Sequence, residues 1–341
     1  MAYYEKTKDE FVLEMVEKTL TQMYKGGIFD HFGYGFSRYS TDKYFLAPHF
    51  EKMLYDNALL MISYIRAYDI TKNDLYKRVA KKTATYVLRE LTHPEGGFYC
   101  AQDADSEGVE GKYYVFDYEE IIKLLGEEIG AKFNQYYGIT KGGNFEGKSI
   151  PNLLNQIKLD DALEQYIPMI YEYRKNRTKL HLDDKILTSW NGLMIAAFAM
   201  LYRAIKDEKY LEAAQNACKF IDKNLSDGDT LFVSFRDGKV SKNGLLDDYA
   251  FYVFALINLY EVTFDNSYLN RAIALNKVVL NKFYDEKKGG FYLYGQDSEQ
   301  LILKPKETYD GAIPSGNSVM AFNLITQTSH LNKCLCTLKI Q

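Results

Sequence analysis

Residues able to move protons crowd one stretch of this 341-residue chain. The segment FDHFGYGFSRYSTDKYFLAPHFEKMLYDN, residues 29–57, holds His31, Arg38, His49, Glu51, Lys52 and Asp56. A histidine and a glutamate facing one pocket can act as general acid and base. His49, Lys52 and Asp56 follow at near-helical spacing, so they are expected on one helix face. The competing reading is a set of salt bridges that hold a loop down. In AQDADSEG, Asp103, Asp105 and Glu107 alternate, yet the EF-hand spacing for calcium is missing. A loop carboxylate there could serve as a general acid, or the acids could be solvated turn residues. LDDKILTSWNG places Asp183, Asp184 and Lys185 just before Trp190 and Asn191, and the single tryptophan would suit a stacking platform. GLLDDYAF contributes Asp247 and Asp248, which could cap a helix or catalyse.

Four positions share a place in the pattern: Asn57, Asn191, Asp248 and Asn317 stand at or near the starts of apolar helices. Asn and Asp satisfy free backbone N–H groups at helix starts. The same ends favour anionic or hydroxyl-rich ligands, so these residues could also line a pocket. The candidates thus divide in two. Catalytic candidates are His31, His49, Glu51, Asp103, Asp184 and Asp248. Ligand-binding candidates are Arg38, Lys52, Asn57, Asp105, Trp190, Asn191, Asp247 and Asn317. No metal ligands and no cofactor are expected.

These residues must be held by a repeated unit. YDNALLMISYIRAYDITKNDLYKRVAKKTATYVL from Tyr55, SWNGLMIAAFAMLYRAIKDEKYLEAAQNACKFI from Ser189 and LDDYAFYVFALINLYEVTFDNSYLNRAIALNKVVL from Leu246 line up. Each is an apolar helix, a short polar break and an amphipathic helix. SGNSVMAFNLI from Ser315 repeats the opening. A helix apolar on every side, such as residues 249–260, is buried all round. The partner from Glu208 shows Tyr210, Ala214, Ala217, Cys218, Ile221 and Leu225 on one face, with Glu212, Gln215, Lys219 and Asp222 opposite. That pattern marks an outer helix packed on one side. Six such pairs closed in a ring give an (α/α)6 toroid, and an open solenoid also fits.

The segments from Gly26, Gly96 and Gly289 share glycine and aromatic residues and belong to the repeat. With DTLFVSFRDGKV from Asp229 they read as loops and short β-hairpins on one face of the array, which is often the binding face. Helices are expected near residues 9–24, 50–69, 73–91, 117–136 with a break near Gly126, 158–177, 189–206, 208–225, 246–264, 266–284 and 316–330. That is about ten where a closed ring has twelve. The chain therefore reads as all-α, one toroid domain over residues 1–330 with short β-hairpin insertions and an incomplete last hairpin. Residues 331–341 read as an irregular tail.

Bulk properties remove several classes. With 42 basic and 46 acidic residues the net charge is −4, and the basic excess of a nucleic-acid partner is missing. No run reaches the roughly 20 apolar residues of a membrane span, and the first ten residues have no apolar signal core. A cytoplasmic protein is expected. The four cysteines form no C-x-x-C pair, which argues against structural zinc. Nucleotide-loop, serine-hydrolase and zinc-hydrolase motifs do not occur. The 30 tyrosines fit sugar-binding surfaces or serve as plain core residues.

GGIFDHFGYGFSRYSTDKYFLAPHFEKMLYDNALL, AQDADSEGVEGKYYVF, DDKILTSWNGLMIAA, LDDYAFYVFALINLYE and PSGNSVMAFNL form an ordered series of motifs. In these the chain resembles the thioredoxin-domain-containing family related to spermatogenesis-associated protein 20 and the bacterial YyaL proteins. The resemblance implies a toroid of the six-hairpin glycosidase class, shared with N-acylglucosamine 2-epimerases and several glycoside hydrolases. It also implies an N-terminal thioredoxin-like domain, which this chain, with no C-x-x-C, is expected to lack. Two functions are expected in competition. One is a carbohydrate-active protein with a sugar-like ligand in a central funnel, an epimerase-like isomerase or a glycoside hydrolase. The other is a non-catalytic module partnered with a separate thioredoxin-like protein. Fold analogy alone does not choose between them.

Overall fold

A computed structural model describes residues 1–299 and 302–338. The chain divides into two compact units. The first holds residues 1–57, 63–90 and 101–183, and the second holds residues 58–62, 91–100 and 184 onward. Among the described residues no helix is long and apolar enough to cross a membrane.

The first unit contains α1 (Ala2–Thr7), α2 (Glu10–Lys25), most of α3 (Leu54–Thr71), α4 (Asp74–Glu90), α5 (Tyr118–Leu125), α6 (Glu127–Tyr136) and α7 (Ile167–Arg177). Its strands are two residues long: β1 (Tyr39–Ser40), β2 (Pro48–His49), β3 (Lys52–Met53), β4 (Ala101–Gln102), β5 (Asp105–Ser106), β6 (Val109–Glu110) and β7 (Leu182–Asp183). β1 pairs with β2, β5 with β6, and β3, β4 and β7 form an antiparallel sheet in that order. The break near Gly126 is present: α5 ends there on a glycine with φ +79.

Two expected helix starts move in this unit. The helix expected from residue 50 begins at Leu54, because Lys52 and Met53 pair with Gln102 and Ala101. His49 lies on β2, so His49, Lys52 and Asp56 do not share a helix face. The helix expected from residue 158 starts at Ile167, after a 3-10 turn at Glu164–Tyr166, with a proline in its first turn. The short α1 was not expected.

The second unit contains α8 (Thr188–Ile205), α9 (Glu208–Asn224), α10 (Leu246–Thr263), α11 (Asn266–Lys282) and α12 (Gly316–Leu338). Its strands are β8 (Ile186–Leu187), β9 (Ser226–Asp227), β10 (Thr230–Leu231), β11 (Ser234–Arg236) and β12 (Lys239–Val240). β8, β11 and β12 form one antiparallel sheet. α12 runs past His330 to Leu338, through most of the expected irregular tail, whose residues 339–341 lie outside the described residues.

The alternation of helix types holds here. α8 and α10 are buried around most of their circumference. α9 buries Tyr210, Ala214, Ala217, Cys218 and Ile221, the stripe read from the sequence. Aspartates cap the outer helices: Asp207 accepts from Lys209 N–H and Asp265 from Ser267 N–H. α8 and α10 approach closely because Gly192 has no side chain; a Cβ there would lie 2.6 Å from the Phe251 carbonyl.

The asparagines at the inner-helix starts act as clamps. Asn57 Oδ1 accepts the Phe36 N–H at 2.7 Å, and its amide donates to the Phe36 carbonyl at 3.0 Å. Asn191 does the same to Phe98, at 2.8 and 2.9 Å. Asn317 repeats it on Phe291, at 2.8 and 2.9 Å. Each amide also donates to a second carbonyl, that of Met53, Leu187 or Glu307. The ligand-facing reading of these three residues thus meets amides already used on the aromatic loops. In α10 the corresponding position is Tyr249, whose hydroxyl accepts the Leu231 N–H at 3.1 Å. We expect Asn191→Ala to strand two buried backbone groups and cost about 2–4 kcal/mol. Urea unfolding checks this; a midpoint within error of the parent would show that the clamp is dispensable.

Candidate functional site

The β1–β2 hairpin sets one group of side chains in the first unit. Asp42 ties its turn by accepting the N–H groups of Tyr44 and Ala47, both at 2.6 Å. Beyond the pair Tyr39↔His49, the Arg38 N–H donates to the Glu51 carbonyl at 2.8 Å. Residues two apart along an extended strand share a side, so His49 and Glu51 lie together. Glu51 Oε2 sits 3.2 Å from Arg38 Nη1 and 3.5 Å from His49 Nε2. His49 Nδ1 lies 2.9 Å from Glu110 Oε1, and its ring stacks on Tyr39 with centroids 5.1 Å apart.

Asp56, in the first turn of α3, completes this group. Burial raises its carboxyl to about 7; the Glu51 charge adds to the rise and Arg38 opposes it. Its Oδ2 is buried and has no hydrogen-bond partner. Arg38 is shared with the neighbouring Tyr55 hydroxyl. The result is a carboxylic acid half protonated at neutral pH, next to a guanidinium and a carboxylate–imidazole pair. Such a group can donate or accept a proton near neutral pH.

Lys52 and His31 lie elsewhere, in the core. The Asp30 carboxylate accepts from both Arg174 terminal nitrogens at 2.9 and 2.8 Å, from Lys52 Nζ at 2.8 Å, and from the N–H groups of Phe32 and Gly33. A Cβ on Gly33 would sit 2.0 Å from Arg174, so only glycine fits. Lys52 also donates to the Tyr34 carbonyl at 2.7 Å and lies 4.6 Å from the Tyr86 ring centre. Its ammonium is spent within the protein, which is the loop-anchoring reading and not the ligand-binding one.

His31, taken from sequence as a catalytic candidate, is enclosed by the rings of Tyr24, Phe29 and Tyr137 and bonds the Gly26 carbonyl at 3.2 Å. Burial, with the charge of Lys82 second, holds its ring down to about 4. A histidine lowered in the fold resists a proton that the unfolded chain accepts. Stability should therefore fall as pH drops from about 6.5 towards 4, by up to about 1.4 kcal/mol per pH unit. His31→Phe should flatten that slope in urea titrations across the window; parallel slopes would refute it.

Asp103 and Asp105 occupy the first unit's exposed loop, where Asp103 accepts the Asp105 N–H at 3.3 Å. In the second unit, Asp184 pairs with Arg236 at 2.7 Å. Asp248 is a cap: its oxygens accept the N–H groups of Ser189 and Leu245 at 3.0 and 2.8 Å, and burial raises it to about 7. Asp247 is raised by burial, receives the Gly316 N–H and leaves Oδ1 without a partner. A Cβ on Gly316 would lie 2.4 Å from that oxygen. Trp190 is half-buried beside the Asn191 clamp. Among the described residues no cluster of His, Cys, Asp and Glu could hold a metal ion.

The fold thus brings Arg38, His49 and Glu51 together. It adds Asp56, which the sequence reading noted without assigning it a role. The usable signal was its place one residue before the clamp asparagine, at the start of a helix that needs no carboxylate cap.

No protein-family model matches the chain. Spermatogenesis-associated protein 20 of Mus musculus is 35% identical over 379 aligned positions, covering 95% of this chain and 48% of the mouse protein. The Homo sapiens protein of that name is 34% identical with the same coverage. The chain spans about half the length of these curated relatives. Among solved structures, a glycoside hydrolase family 76 mannosidase of Bacteroides thetaiotaomicron matches 97% of the chain and 68% of its own, with a TM-score of 0.58 at 12% identity. An unsaturated glucuronyl hydrolase of Bacillus sp. GL1 matches 95% and 70%, with a TM-score of 0.54 at 13% identity. At these identities the likeness is one of fold, and the fold is the all-α six-hairpin glycosidase class.

Proposed function

The chain belongs to the spermatogenesis-associated protein 20 family, and from that premise we propose that it acts on a carbohydrate, with Asp56 as the proton-transferring acid. The observation that carries this is the Asp56 carboxyl, raised to about 7 with one oxygen unpartnered. A group with that affinity is a strong acid catalyst near neutrality, because it holds its proton yet releases it readily. Arg38, part-exposed, offers donors to sugar hydroxyls, and Tyr39, half exposed over His49, offers a ring face to a pyranose. Hydrolysis would use Asp56 to protonate the leaving-group oxygen. Isomerisation would use the same proton at a carbonyl, with the His49–Glu51 pair taking one from the adjacent carbon.

The test is a screen of aryl glycosides and reducing sugars with the parent, Asp56→Asn and His49→Ala. Turnover lost in Asp56→Asn supports the proposal. Turnover unchanged in that variant, or saturable sugar binding without any turnover, overturns the catalytic assignment and leaves the non-catalytic module.

A further inference from the structure

Away from Asp56, the first unit has a cleft of about 970 Å³ between α4 and residues 157–164, with Tyr34 at its side. Its charge is opposite to that of the whole chain. Lys77, Arg78, Lys81, Lys82 and Lys158 line it against only three acids, while the protein carries net −4. The three acids are each paired: Asp74 with Lys77 at 2.5 Å, Asp161 with Arg78, and Glu164 with Lys82 at 2.6 Å. Lys81 and Lys158 are the surplus, both exposed to solvent.

Tyr34 is the second observation. Its φ is +65, a left-handed conformation costly for a bulky aromatic residue. The backbone holds it there: its N–H donates to the Asp30 carbonyl at 2.7 Å, and its own carbonyl accepts from Lys52 at 2.7 Å. The ring comes to 5.4 Å from Lys82 Nζ, at the cleft wall. The buried Asp30–Lys52–Arg174 group therefore fixes an aromatic ring beside a row of cations.

We propose that this cleft binds a phosphorylated small molecule carrying at least two negative charges, with the phosphate groups on Lys81 and Lys158. With three of the cations offset by acids, these two lysines give the cleft its net positive charge. Focusing by one sign of charge within a cleft raises the local concentration of such an anion. The site is independent of the Asp56 reaction and holds whether or not that reaction exists.

The experiment is calorimetric titration of the full chain with inorganic tripolyphosphate and, separately, with ADP, each against sodium chloride at matched ionic strength. Saturable binding is expected, weakened about tenfold in the double variant Lys81→Gln/Lys158→Gln, whose exposed side chains leave folding intact. Asp56→Asn should bind as the parent does. ADP tighter than tripolyphosphate, with the difference removed by Tyr34→Leu, identifies an aromatic phosphate ester as the ligand class; equal affinities identify the phosphate chain alone. Heats no larger than those of sodium chloride, or a double variant that binds like the parent, overturn the proposal.

Discussion

Asp30→Asn should lower the unfolding free energy by roughly 3–5 kcal/mol, the largest effect expected of a single substitution in this chain. The magnitude follows from what is left behind. Asp30 is buried and faces two buried cations, Arg174 and Lys52. Burial alone would raise its carboxyl, but the charges of Arg174 and Lys52 outweigh it and hold the group well below the usual carboxylate range. Neutralising it removes the acid that bonds both cations and leaves them facing one another. Removing Lys52 is different. Burial pushes its ammonium down to about 8, with Asp30 raising it and Arg174 lowering it again. The Lys52 charge is thus held against its preference, so Lys52→Met should cost no more than about 1 kcal/mol.

The two residues also set opposite ends of the pH profile. Asp30 is lowered in the fold, so its contribution is present above the unfolded carboxylate value, near 4, and declines as pH falls below it. Lys52 is lowered too, but as a cation. Between about 8 and 10.5 the unfolded chain binds more protons than the folded one, so this residue makes stability rise with pH there. Urea midpoints for the parent and both variants at pH 5, 7 and 10 check the assignment. Equal costs for Asp30→Asn and Lys52→Met at pH 7 would contradict it.

What the sequence made legible was periodic. The apolar ring of α10 and the single stripe of α9 are local signals, because burial on one side or all sides shows in helical spacing. The break at Gly126 was legible too, because a glycine interrupts a helical run. The site was only half legible. His49, Glu51 and Arg38 lie close in sequence, and a short hairpin brings them together. Lys52 and His31 lie in the same stretch but turn inward, and nothing local separates them. Lys52 is drawn in by Asp30, whose other cation, Arg174, stands 144 positions away in a helix with no marked periodicity. Two-residue strands such as β3 carry no alternation to read. The clamp was read as a capping residue because Asn suits both roles; its partner, a loop phenylalanine backbone, has no side-chain signature. Tyr249 shows the same limit, since a tyrosine hydroxyl does the work of an asparagine there.

Asp56→Asn should separate function from stability by moving them in opposite directions. If Asp56 is the acid of a sugar reaction, its loss should lower kcat by about 10²–10⁴-fold. The parent's rate should fall as pH rises through about 7, as the carboxyl loses its proton, and the variant's residual rate should lack that limb. Stability should respond to the substitution in the opposite sense. A carboxyl raised in the fold favours the protonated state, so its contribution is present below the unfolded value near 4 and is lost as pH climbs to about 7. Above pH 7 the parent carries a half-buried carboxylate whose buried Oδ2 lacks a hydrogen bond. Asparagine has the same shape and no charge, so the variant should be about 1–2 kcal/mol more stable than the parent at pH 8 and close to it at pH 4. Glu51→Gln gives the internal control. It removes a neighbouring negative charge, so the Asp56 carboxyl should ionise more easily and the falling limb should move to lower pH. A limb that stays in place in Glu51→Gln, or an Asp56→Asn variant less stable than the parent at pH 8, would mean that the carboxyl is an ordinary ion-pair partner of Arg38 and not a group held protonated for chemistry.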